Sequence, residues 1–117
     1  MVRWIKKKEH KNVKVLEYPD LPTYSSNKVV GVALAVINGI YPGENKWARN
    51  REVDMWYLAT SGKGVVELKN GKRTEIAEGE VVEIPKGEWY RVQGENLKIW
   101  IITIPPWYSG QYEIFPG

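Results

Sequence analysis

Gly79-Glu-Val-Val-Glu-Ile-Pro85-Lys-Gly87-Glu-Trp-Tyr90-Arg-Val-Gln-Gly94 is the stretch that decides the fold. Its spacing is a glycine, five residues, a proline, one residue, a second glycine, two residues and a tyrosine. Gly79 and Gly87 suit turn positions that need positive φ, and Pro85 fixes its own φ at a strand end. The reading is therefore a turn, a short β-branched strand, a proline-glycine turn and a second strand.

The same grammar runs outward on both sides. Val29–Ile37 reads as an apolar strand closed by Asn38-Gly39, Lys46–Arg51 as a polar strand, Val53–Ala59 as an aromatic one and Gly64–Leu68 as a short one. Asn70-Gly71 then joins Gly64–Leu68 to Arg73–Ile76, because Asn-Gly between strands is the strongest short-range hairpin signal. Val81–Ile84, Trp89–Val92 and Leu97–Ile104 follow, stopped by Pro105-Pro106. About eight short strands with regular turn signals predict an all-β sandwich or barrel, closed or paired so that few edges are left open. Val13–Tyr18 could add a strand at one edge, residues 19–27 read as a loop, and the aromatic tail from Trp107 should pack across the barrel or onto a second subunit.

The segment Lys46-Trp-Ala48-Arg-Asn50 with Met55-Trp-Tyr57 and Gly62-Lys-Gly64 completes a resemblance to the cupin superfamily. The Gly79–Gly94 stretch resembles the second conserved cupin motif and this upstream segment the first. Lys46, Ala48, Asn50 and Pro106-Trp107-Tyr108 are also similar to a narrower group of small cupins, from which Met55 and Gln111-Tyr112 depart. The resemblance implies a double-stranded β-helix, one domain over 1–117, with an N-terminal extension or edge strand at 1–28, the barrel at 29–104 and the tail at 105–117. It also implies that the four metal-ligand positions fall on Ala48, Asn50, Met55 and Tyr90, none of them a histidine or carboxylate.

Residue chemistry points the same way. A transition-metal site wants imidazole, thiolate or clustered carboxylate, whereas the chain has no cysteine and a single histidine, His10, in a charged head. Neither metal nor any other cofactor is expected. Strand alternation puts Asp54 on the face opposite Met55. The same alternation puts Lys46, Ala48 and Asn50 on one face, which the resemblance makes the barrel interior, with Met55 and Tyr57 on a neighbouring face and Tyr90 on a third. A lysine inside a barrel is costly unless an anion or water meets it. Two readings stay open: Lys46 and Asn50 bind an anionic or hydroxylated ligand with Tyr57 and Tyr90 as donors, or Lys46 snorkels to solvent and the tyrosines are core.

Composition sets the remaining bounds. Hydrophobic content of 43% against 26% charged residues is that of a soluble globular protein. No apolar run approaches the roughly 20 residues of a membrane-spanning helix, and no signal peptide follows the basic N-terminus, so no membrane partner and a cytoplasmic location are the default expectations. Residues 1–14 hold six basic residues against one acidic, and the rest eleven against thirteen, so the barrel itself is not a basic platform and nucleic acid is not an expected partner. The six tryptophans read as strand and interface residues, with Trp47 and Trp56 on outer faces. The expected function is metal-free binding of a small sugar-like or carboxylate ligand in the barrel. The alternative is a metal-independent isomerase, epimerase or lyase on a sugar-type substrate, whose general base would have to be Lys46 or a tyrosine. Edge strand, basic head and aromatic tail together predict a homodimer.

Overall fold

The structure, a computed structural model, describes residues 6–10, 13–17 and 30–115, with side chains from residue 30 onward. The loop expected over 19–27, Trp4 and the side chains of the basic head, His10 included, lie outside the described residues. Nine strands are described: β1 Lys6–His10, β2 Val13–Glu17, β3 Gly31–Tyr41, β4 Trp47–Asn50, β5 Asp54–Leu68, β6 Arg73–Ala77, β7 Val81–Ile84, β8 Trp89–Ile104 and β9 Tyr112–Phe115. Every pairing is antiparallel.

The long strands β3, β5 and β8 bend and so build two facing sheets. In the first, the order is β1, β2, the start of β3, the end of β8, the start of β5, then β7. In the second, β9 pairs β4, β4 pairs the start of β8, and the end of β5 lies between β8 and β6. The bends have identifiable causes. The register of β5 shifts on either side of Ser61, and that of β3 shifts between Ile37 and Gly39. Asn96 stands at φ 46 in β8, held by Asn38, whose Oδ1 accepts its backbone N–H and whose Nδ2 donates to its Oδ1, both at 3.0 Å. Gly62 sits at φ +76, and a Cβ there would stand 2.1 Å from the Asn96 carbonyl oxygen, so only glycine fits the crossing of the two bends.

These bulges correct the sequence reading, in which Val53–Ala59 and Gly64–Leu68 were separate strands, as were Trp89–Val92 and Leu97–Ile104. The glycines bend the chain without ending the ladder, because a bulge leaves one residue unpaired and lets pairing resume. The Asn70-Gly71 hairpin forms, with the Gly71 N–H donating to the Leu68 carbonyl at 3.0 Å. Gly71 has positive φ and Asn70 does not; Asn70 Oδ1 instead accepts the Lys72 N–H at 2.9 Å. The strand expected at Val13–Tyr18 forms as β2 over Val13–Glu17, but not at an edge, because β1 pairs on its other side; Tyr18 lies outside the described residues, and β1 and β9 are additions that the sequence pattern did not single out.

Between the sheets lies one core. Ala35, Ile37, Ala59, Leu97 and Ile99 of the first sheet meet Val66, Ile76 and Val92 of the second, and each fully buried Leu or Ile contributes roughly 2 kcal/mol.

Candidate functional site

At the β4 end of the interior the lining turns polar. Ala48 pairs directly with Tyr90 across β4 and β8, and Asn50 Nδ2 lies 3.8 Å from Met55 Sδ. All four residues are buried, so the structure brings together the four positions that the cupin resemblance marks as ligand positions. They do not fit a transition metal. Ala48 offers a methyl group, Met55 a thioether and Tyr90 a protonated phenol, while the Asn50 oxygen is already committed. Among the described residues no group of three His, Cys, Asp or Glu side chains could hold a metal ion.

In place of ligands stands a group of four tyrosines. Tyr57 and Tyr90 are almost completely buried, and their phenol oxygens interact with each other; Tyr90 reaches Tyr112, and Tyr112 in turn shares a short hydrogen bond with Tyr41. Burial is the largest cause of a raised phenol pKa at all four. The neighbouring phenols push Tyr57, Tyr90 and Tyr112 up further, because a phenolate at any one would stand beside the others. The four are therefore protonated at neutral pH and act as hydroxyl donors and acceptors.

Asn50 holds the tail against this end. Its Oδ1 accepts Trp107 Nε1 at 3.1 Å and Gln111 Nε2 at 3.0 Å, and its backbone carbonyl accepts the Gly87 N–H at 2.7 Å. Gln111 is fully buried in a 3-10 turn, Ser109–Gln111, where its Oε1 accepts the Glu52 N–H at 3.2 Å. Trp107 stands edge-on to Tyr112 with centroids 5.5 Å apart. Met55 pairs with Thr103 across β5 and β8, and Thr103 Oγ1 is buried without a hydrogen-bond partner.

Of the four site residues expected from sequence, Asn50, Tyr57 and Tyr90 converge in the interior and Lys46 does not. Lys46 is exposed, because β4 begins only at Trp47 and Lys46 closes the preceding turn, its N–H on the Gly43 carbonyl at 3.1 Å. The inward-facing reading of Lys46 is thereby corrected to the solvent-facing one. Tyr41, Tyr112, Trp107 and Gln111 were missed as site residues. The signal for three of them was the tail's Trp107 and Gln111-Tyr112; Tyr41 had none beyond its place before Pro42. A separate open cavity of about 340 Å³, lined by Glu44, Glu67, Arg73, Arg91 and Gln93 among others, lies on the outer face of the second sheet. There the Arg91 guanidinium, with Arg73 beside it, holds the Glu67 carboxyl below its usual range.

No family model matches the chain, and no curated protein matches it in sequence. Solved structures do match. Pac13, a nucleoside dehydratase, superposes with a TM-score of 0.81 at 12% identity over 98% of this chain and 88% of that one. The chain has a cupin fold. Ectoine synthase from P. lautus (TM-score 0.71, 12% identity, 93% and 80% covered) and KdgF from Halomonas sp. (0.66, 10%, 88% and 90%) share it. Streptomyces PAC13 has also been solved with uridine as a histidine-to-glutamine variant and as two tyrosine-to-phenylalanine variants.

Proposed function

We propose that the barrel interior binds a small, uncharged, hydroxyl-rich molecule, sugar-like or nucleoside-like, without a metal. The carrying observation is the linked set of protonated phenols, Tyr41, Tyr57, Tyr90 and Tyr112, beside Ala48, Asn50 and Met55, which with Tyr90 are the positions that the cupin resemblance marks for metal ligands. Phenols that both donate and accept match alcohol groups, and Asn50 Nδ2, facing only a weak sulfur acceptor, has donor capacity to spare. A carboxylate ligand is the weaker fit, since Lys46 stands in solvent and no cationic side chain is buried among the described residues. The solved uridine complexes of a cupin-fold nucleoside dehydratase support the ligand class.

The second reading, a metal-independent lyase, would have the same phenols give a proton to a departing hydroxyl, a task that their raised pKa values make harder. It lacks a partner base, since no carboxylate or imidazole faces the interior among the described residues. The test is a thermal-shift panel of uridine, neutral sugars and sugar acids. A neutral member at a hundred times its Kd should stabilise the protein by about 2.7 kcal/mol, and the Tyr57→Phe/Tyr90→Phe double variant should lose that shift. A panel in which only sugar acids stabilise, or a shift that survives in the double variant, overturns the proposal.

A further inference from the structure

The open cavity of about 340 Å³ on the outer face of the second sheet holds charges of both signs, and they fall into two groups. One group is closed on itself. Arg91 lies 4.3 Å from the Trp47 ring centroid, donates Nη1 to the Glu44 backbone carbonyl at 2.6 Å and donates Nη2 to Glu67. Glu67 offers its second oxygen to Arg73, so Arg91 and Glu67 are committed to each other and fix the wall between them. The other group is uncommitted. Among the described residues the Glu44 carboxylate joins no ion pair or hydrogen bond, because only its backbone carbonyl is used. Arg73 uses Nη1 alone and keeps Nε and Nη2. The side-chain amides of Asn45 and Gln93, also in the lining, make no hydrogen bond among the described residues.

These spare groups define the chemistry of an occupant. A free carboxylate, a guanidinium with donors left over and two free amides complement an ammonium at one end, a carboxylate at the other and a peptide group between. The charge balance argues the same way. Arg73 and Arg91 cancel Glu44 and Glu67, so a simple anion or cation gains little from the cavity as a whole, whereas a zwitterion gains at both ends. Length agrees as well. Only β5 separates β6, which carries Arg73, from β8, which carries Arg91 and through it the Glu44 carbonyl. That is about 10 Å at the usual strand spacing, and an extended dipeptide spans about 7 Å, leaving the two side chains to close the remainder. Ile40 and Val65 make the apolar part of the lining, which suits an aliphatic side chain. We propose that this cavity binds a free dipeptide as its zwitterion, with the ammonium on Glu44, the carboxylate on Arg73 and the peptide group on Asn45 and Gln93. The site lies outside the barrel and stands apart from the reading of its interior.

Calorimetric titration with glycyl-leucine is the test. The wild type should bind one molecule per chain, and N-acetylglycyl-leucine and glycyl-leucinamide, each lacking one charge, should bind about tenfold more weakly. Glu44→Gln should weaken binding of the free dipeptide about tenfold and become indifferent to N-acetylation. Arg73→Gln should weaken it likewise and become indifferent to amidation of the carboxylate. Such matched indifference is a pairwise coupling that general loss of structure cannot mimic. Tyr57→Phe/Tyr90→Phe should bind glycyl-leucine as the wild type does. A wild type that does not bind glycyl-leucine at millimolar concentration overturns the proposal. So does binding untouched by either substitution, or binding lost in the double tyrosine variant. Variants that keep full sensitivity to both end modifications overturn the assigned contacts.

Discussion

Asn50 ties the tail to the interior, because one carbonyl oxygen accepts from the half-buried Trp107 Nε1 and the buried Gln111 Nε2. Asn50→Ala takes the acceptor from both Trp107 Nε1 and Gln111 Nε2, and the loss at the buried Gln111 amide alone should cost about 1–3 kcal/mol. Urea denaturation should show that loss as a lower midpoint at unchanged slope. Lys46→Met, by contrast, touches an exposed turn residue and should stay within about 0.5 kcal/mol of wild type. At this scale the sequence was half legible. Asn50, Tyr57 and Tyr90 could be named because strand alternation and the cupin spacing agree on them. Lys46 was misplaced because alternation was extended one residue past the start of β4, and Tyr41 and Tyr112 escaped because their meeting depends on β9 returning beside β4, which no local pattern encodes.

Among the elements, β5 and β8 decide the architecture, since each serves both sheets and bends where glycine and asparagine allow it. Gly62 and Gly79 separate two contributions. Both have positive φ, but a Cβ on Gly79 meets nothing within 4 Å, whereas on Gly62 it strikes the Asn96 carbonyl. Gly79→Ala should therefore cost about 1 kcal/mol, the backbone penalty alone. Gly62→Ala should cost at least about 2 kcal/mol more, as overpacking against backbone is added, measured by thermal or urea unfolding of the two variants side by side. The periodicity that located the strands was plain in the sequence. Their continuity was not, because Gly62, Gly64 and Gly94 read as turn signals until the partner strand supplies the hydrogen bonds that carry a ladder through a bulge.

For the whole molecule, the buried phenols link stability to pH. All four have pKa values raised by burial above the ordinary 10.0. Above pH 10 the unfolded chain releases these protons while the folded one retains them, so stability falls as pH rises, by about 1.4 kcal/mol per pH unit for each group. Below pH 10 both states hold the protons and the contribution is flat. Tyrosinate absorbance near 295 nm from these four should appear late, coincident with loss of near-ultraviolet circular dichroism. A single early rise of all the tyrosines with the fold intact would contradict the closed interior.

The central claim, that a cupin barrel without metal-binding side chains at its ligand positions takes a neutral hydroxyl-rich molecule on its phenols, is tested most directly by calorimetry. Protein exhaustively dialysed against chelator, with metal content checked by elemental analysis, is titrated with uridine and with neutral sugars. One of these should bind at one site per chain with the same Kd before and after chelation, and binding should vanish in Tyr57→Phe/Tyr90→Phe. Binding that appears only when zinc, iron, manganese or nickel is restored would contradict the account.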